Sequence, residues 1–145
     1  MKVQVKKLNP EVKLELAHKG DAGIDLYAAE TIEILPGEIK LVKTGIKVAI
    51  PEGFEGQVRP KSGLALNKGI TVLNTPGTID SGYRGEIGVI IINHGKKKFT
   101  AEKKTKIAQL VFNKIELAEI EFVEELDDTS RGEGGFGSTG LKLND

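Results

Sequence analysis

The sequence predicts an all-β fold of the sandwich, jelly-roll or barrel kind. Three observations predict it. The strand-like runs are short and closely spaced, glycine is abundant at 18 of 145 residues, and only one stretch has helical character. Chains built this way close antiparallel sheets on each other rather than alternate strands with helices.

Residues 3–5, 31–35, 39–43 and 45–50 alternate apolar with polar positions or are β-branched, the pattern of a half-buried strand. Pro36-Gly37 and Pro51-Glu52-Gly53 supply the turns that separate them. Further strands are predicted at 55–59, 70–74, 86–93, 98–101, 106–113 and 115–123. Val89-Ile90-Ile91-Ile92 is apolar at consecutive positions, so it needs cover on both faces, from a second sheet or another subunit. The helical stretch is Ser62-Gly63-Leu64-Ala65-Leu66-Asn67, with Ser62 as its N-cap. Residues 1–126 make one domain, and residues 127–145 a flexible tail, because that segment has little apolar surface to bury.

Composition excludes several classes of chemistry. Cysteine is absent, which removes disulfides and thiolate zinc sites. The two histidines, His18 and His94, each sit beside Lys and Gly in turn-like sequence, a poor basis for a Ser-His-Asp hydrolase or a His-ligated metal. Any metal is therefore expected to be a hard cation on oxygen ligands. Lys+Arg and Asp+Glu balance at 21 each, against the basic excess of a nucleic-acid binder. The longest apolar run is too short to span a bilayer, and the N-terminal residues have no signal-peptide pattern, so a cytoplasmic protein without membrane contact is expected.

Five segments carry the chemistry. In Asp21-Ala22-Gly23-Ile24-Asp25-Leu26, Asp25 lies between aliphatic neighbours and is expected to be enclosed, where a carboxylate needs a partner or a cation. Arg59-Pro60-Lys61-Ser62-Gly63-Leu64-Ala65 sets two cations, a hydroxyl and a glycine at a helix start, which favours anions. Asn74-Thr75-Pro76-Gly77-Thr78-Ile79-Asp80-Ser81-Gly82-Tyr83-Arg84-Gly85-Glu86 contains a tight Ser-Gly turn and predicts a hairpin over 78–85, with Asp80 at its shoulder. In Lys106-Ile107-Ala108-Gln109-Leu110-Val111-Phe112, Gln109 interrupts an apolar run and must be hydrogen-bonded. The tail, Arg131-Gly132-Glu133-Gly134-Gly135-Phe136-Gly137-Ser138-Thr139-Gly140, lacks the lysine and the flanking elements of a P-loop, yet its backbone, hydroxyls and arginine suit a polyphosphate.

In this order and spacing the five segments closely resemble the five motifs of the trimeric dUTPase family. The resemblance runs from about Leu14 to Gly140. It implies a distorted jelly-roll β-barrel, a homotrimer whose active sites are shared between subunits, and hydrolysis of dUTP to dUMP and pyrophosphate. That activity limits uracil incorporation into DNA and supplies dUMP for thymidylate synthesis. The resemblance implies that Asp80 activates the attacking water, and that Asp25 acts through water on a magnesium ion. It assigns the uracil edge to Asn74 and the backbone from Thr78 and Ile79 on to Tyr83, with a further contact near Gly88, sets Gly77 among the substrate-binding residues, and gives the deoxyribose to Tyr83. Ser62, Gly63 and Gln109 would hold the phosphates. Arg131 and Ser138 would reach the γ-phosphate, Gly137 would contact the substrate, and Phe136 would stack on the base. Lys61 stands where the family usually has arginine. Lysine keeps the charge and loses the bidentate fork, which leaves Arg59 as a second candidate for that phosphate contact. Asp21 and Arg84 take structural roles. The alternatives are a dCTP deaminase of the same fold and a non-catalytic nucleotide-binding relative.

Overall fold

In the computed structural model, which describes residues 1–138, eleven strands and one helix follow each other in chain order. The strands are β1 (Gln4–Lys7), β2 (Ile24–Tyr27), β3 (Ile32–Ile34), β4 (Ile39–Lys43), β5 (Ile46–Ala49) and β6 (Phe54–Arg59). Helix α1 (Ser62–Lys68) follows, then β7 (Ile70–Val72), β8 (Gly77–Ile79), β9 (Gly88–Asn93), β10 (Phe99–Ala101) and β11 (Lys106–Lys114). Every strand pairing is antiparallel. The main sheets are β2-β11-β6-β8 and β4-β9-β7, with β1-β5 and β10-β3 as two-stranded ribbons.

Alternation explains the core. Along β9, Val89, Ile91 and Asn93 point inward and are buried, while Ile90 and Ile92 are only half-buried. Leu26, Val58 and Leu110 from the four-stranded sheet join Val42, Val72, Val89 and Ile91 from the three-stranded one in a single apolar cluster. Asn93, fully buried, is satisfied on all sides. Its amide donates to the Ile34 and Lys97 carbonyls at 2.9 Å each, and its oxygen accepts from Gly95 N–H at 2.8 Å. This polar staple ties the β9–β10 turn to β3, because a buried amide left open would cost about 1–3 kcal/mol per group.

Three expectations need correction. Residues 115–123 form no strand, although they alternate; no free edge of their own chain pairs with them, and Leu117, Ile120 and Phe122 are exposed. The segment over 78–85 is a turn but not a hairpin. Tyr83 N–H donates to the Asp80 carbonyl at 3.1 Å, yet β8 pairs with β6 and the chain then crosses to β9 in the other sheet. Ser62 is the first helical residue rather than the N-cap; Lys61 holds that position, with extended backbone and no side-chain cap bond.

Candidate functional site

Strand register brings segments distant in sequence into one cleft. On β11, Gln109 pairs with Asp25 of β2 on one side and Arg59 of β6 on the other. Gln109 donates to the Pro60 carbonyl at 2.9 Å, and its side chain fills the space a Cβ at Gly23 would take. Alanine at 23 would displace this amide from its place against Pro60. Asp25, Lys61, Lys106, Gln109, Gly23 and Asp21 line the resulting cleft, about 380 Å³.

Asp25 is the buried acid of this cleft, 5 % exposed. Lys61 Nζ lies 2.5 Å from its Oδ1 and Lys106 Nζ 2.7 Å from its Oδ2. Burial pushes the Asp25 carboxyl up, but the hydrogen bonds and charges of Lys106 and Lys61 outweigh it and hold the group below its ordinary 3.8. The same hydrogen bond, with the Asp25 charge, raises the Lys106 ammonium above 10.5. The sign follows directly. The Asp25 contribution to stability is present above pH 3.8 and is lost as pH falls through the lower folded value. The Lys106 contribution is present below pH 10.5 and is lost as pH rises through the higher one. Urea unfolding of the native protein and of Asp25→Asn should therefore show a stability gap at neutral pH that closes in acid, where Asp25 is protonated. A gap that stays constant down to pH ~2 would contradict the pairing.

Neighbouring residues of the first two segments take other partners. Arg59 donates to Gln57 Oε1 from Nε at 2.9 Å and from Nη2 at 2.5 Å, so it turns away from the cleft, and Lys106 rather than Arg59 accompanies Lys61. Nothing in the sequence pattern pointed to Lys106 except its place at the head of an already noted segment. Asp21 accepts the His18 N–H at 2.9 Å, a turn contact as expected. Ser62 and Gly63, exposed at the first turn of α1, have a hydroxyl and N–H groups that no cap bond occupies.

The third segment builds a second cleft. Thr78, Ile79, Asp80, Tyr83, Glu86 and Gly88 line it together with Leu41 and Ile90, about 300 Å³ in all. Tyr83 donates its hydroxyl to the Glu86 carbonyl at 2.9 Å and packs over Gly85, where a side chain would displace the ring. Arg84 Nη1 donates to the Ser81 and Tyr83 carbonyls at 2.6 and 2.8 Å, which makes it a brace of the turn. Asn74 lies against Gly77, and Leu41 covers Gly88. Asp80 is exposed, and its carboxylate takes no hydrogen bond or ion pair from another described residue. Leu41, a strand residue of a distant segment, was missed by sequence reasoning, and Glu86, inside the third segment, was given no role; it is half-buried and its Oε1 accepts the Gly45 N–H at 2.9 Å.

The two clefts share no lining residue. In the four-stranded sheet β2 and β8 are opposite edges, three strand spacings apart, or about 14 Å. Residues 127–138 of the tail line neither cleft. Arg131 Nε donates to the Gly134 carbonyl at 2.9 Å, Ser138 N–H to that of Gly135 at 2.9 Å, and Phe136 is fully exposed beside Gly137. Thr139 and Gly140 of the fifth segment lie outside the described residues. His18 and His94 are exposed and apart, as expected.

Magnesium can be tested against the donor set. Among the described residues no group of three or more His, Cys, Asp or Glu side chains gathers to hold a metal. Two aspartates beside two lysines, with both Asp25 oxygens already bonded to the lysines, fit magnesium only as an ion that keeps water and phosphate oxygens for most of its shell.

Fold and clefts define the class: a small antiparallel β-protein with one cleft lined by paired lysines and aspartates and a separate cleft that bears the exposed Asp80. The family model described as dUTPase matches residues 12–140. The chain is 57 % identical over 141 residues to the deoxyuridine 5'-triphosphate nucleotidohydrolase of Alkaliphilus metalliredigens, covering 97 % of this chain and 98 % of that one. The dUTPase of Staphylococcus bacteriophage 80alpha with dUPNHPP superposes with a TM-score of 0.89 at 32 % identity, over 97 % of this chain and 99 % of that one. The dUTPase of phage phi11 of S. aureus, described for its coordination of a structural Mg(II) ion, gives a TM-score of 0.81 at 29 % identity, over 88 % and 100 %. The chain belongs to the dUTPase family.

Proposed function

We propose that the chain hydrolyses dUTP to dUMP and pyrophosphate at a site completed only when copies of the chain assemble. The observation that carries this reading is the split of the motifs between two clefts at opposite edges of one sheet. A base must lie within hydrogen-bond reach of its water, and that water within reach of the α-phosphorus. Asp80 meets this requirement if its slot abuts the phosphate cleft of a neighbouring copy. The uncovered apolar face beside the slot supports the same assembly. Ile39 pairs with Ile92 and Leu41 with Ile90, and both β4 residues are half-exposed. Such a face is of the kind subunits bury, and a homotrimer is the closed form expected for it.

Asp80 orients the water and takes its proton as the oxygen bonds to the α-phosphorus. The bond to the α,β-bridging oxygen breaks, and pyrophosphate leaves. When bound, magnesium supplies charge neutralisation on the phosphate oxygens. Asp25 would hold that ion through water. Lys61, Ser62, Gly63 and Gln109 hold the phosphates, and the tail brings Arg131 and Ser138 to the γ-phosphate and Phe136 to the base. Asn74 and the backbone from Gly77 to Ile79, with Gly88, bond the uracil edge, which rejects cytosine by mismatch of donors and acceptors. Tyr83, held by Glu86, closes the space that a 2′-hydroxyl would need.

Incubation with each deoxynucleotide, dUTP and UTP in magnesium, assayed for pyrophosphate and ammonia, tests the reading. Pyrophosphate from dUTP should exceed that from dCTP, dTTP and UTP by at least ~100-fold, the scale of polar-group discrimination. Ammonia from dCTP would replace the proposal with deamination.

A further inference from the structure

Tyr83 can shut out a 2′-hydroxyl only if its ring stays in place, yet Gly82, Tyr83 and Arg84 are all exposed. The ring lies over Gly85, and its hydroxyl ends on the Glu86 carbonyl at 2.9 Å. Whatever fixes residue 86 therefore fixes the ring.

The β4–β5 turn and β5 grip that residue from two directions. Ile87 N–H, in the same peptide unit as the Glu86 carbonyl, donates to the Ile46 carbonyl at 2.9 Å. The Ile87 carbonyl accepts Thr44 N–H at 3.2 Å and the buried Thr44 hydroxyl at 2.6 Å. The Glu86 side chain adds the remaining hold, as its Oε1 accepts Gly45 N–H at 2.9 Å across 41 positions of sequence. Gly45 is itself pinned. Its φ of 72° is left-handed, Val12 packs where a Cβ would stand, and its carbonyl accepts Leu8 N–H at 2.8 Å. Glu86 is half-buried and takes no ion pair among the described residues, so its carboxylate serves as an acceptor rather than as a charge partner.

We propose that Glu86 is a positioning residue for sugar discrimination: its grip on Gly45 holds the carbonyl to which Tyr83 is bonded. This rests on the reading that Tyr83 packs against the deoxyribose. Without the grip, residues 85 and 86 regain backbone freedom, Tyr83 loses a fixed acceptor, and its ring can yield to a 2′-hydroxyl. A ribose substrate gains from that freedom, whereas dUTP gains nothing.

Steady-state kcat/KM for dUTP, UTP and dTTP on the full chain in magnesium gives the test. Glu86→Ala should lower the dUTP:UTP ratio at least ~5-fold, the factor carried by one net hydrogen bond. Glu86→Asp keeps the charge but falls a methylene short of Gly45, so it should lower the ratio too, and it decides the matter if the alanine variant fails to fold. Glu86→Gln should keep the native ratio, because its amide oxygen accepts the same N–H. The dUTP:dTTP ratio, set at the base edge, should stay native throughout. A role in stability alone would lower all three substrates together and leave both ratios unchanged. Native dUTP:UTP ratios in the alanine and aspartate variants, while Tyr83→Ala lowers it, overturn the Glu86 assignment alone, and so does a fall in both ratios together. A native ratio in Tyr83→Ala overturns the reading of Tyr83 as well.

Discussion

Asp80→Asn is expected to fold, assemble and bind nucleotide, yet to turn over dUTP on the order of 10²–10⁴ times more slowly, the usual share of a general base. The expectation follows from what Asp80 does in the free protein. Its carboxylate bonds to no described residue, and its turn is held instead by the Tyr83 N–H to Asp80 carbonyl contact and by Arg84. Asparagine keeps that backbone contact and nearly the same volume, so thermal unfolding should not move appreciably. Only proton acceptance is lost. Calorimetry for analogue binding and steady-state kinetics separate the two, since a pure chemical defect lowers kcat and leaves affinity nearly alone. Near-native kcat in this variant would remove Asp80 from the mechanism.

Truncation after Asp128 is expected to cost at least ~100-fold in activity, the scale of lost positioning and water exclusion. Unfolding temperature should nevertheless shift by no more than ~2 °C, because a segment that buries little contributes little. Residues 129–138 bond to one another, as in Gly132 N–H to the Thr129 carbonyl and Gly134 N–H to that of Arg131, and Phe136 touches no core. Arg131, Phe136 and Ser138 are therefore expected to act only around a ligand. Reassembly of the truncated chain with Asp80→Ala chains tests whether that work is done on a neighbour. A mixed site can then combine an intact Asp80 from one chain with an intact tail from another, and activity should reappear though both parents lack it. Mixed oligomers, verified by mass spectrometry, that stay inactive would confine each tail to its own chain.

The strands at 39–43 and 106–113 were legible because β-branched alternation and flanking turn residues act within a few positions. The strand expected at 115–123 failed for a different reason. Alternation states that one face is apolar and says nothing of which edge will pair with it. Here no edge of the same chain does, and Phe122 and Leu126 stay exposed. The Ser-Gly turn was legible too, but not that its two flanks enter different sheets, which depends on β6 pairing with β8 and on β7 and β4 flanking β9.

The sequence by itself determined the fold class, the short helix, the absence of thiolate chemistry, and the five segments that resemble the family's motifs. Each of these rests on residue type and spacing over short range. Tertiary structure alone decided that Lys61 and Lys106 both close on Asp25, that Arg59 turns to Gln57, and that motif residues divide between two clefts. Those facts depend on strand order and register, where one bulge between Lys106 and Ala108 changes which face a side chain occupies. No local pattern encodes that outcome, because the partners come from strands far apart in the chain and meet only when the sheets close.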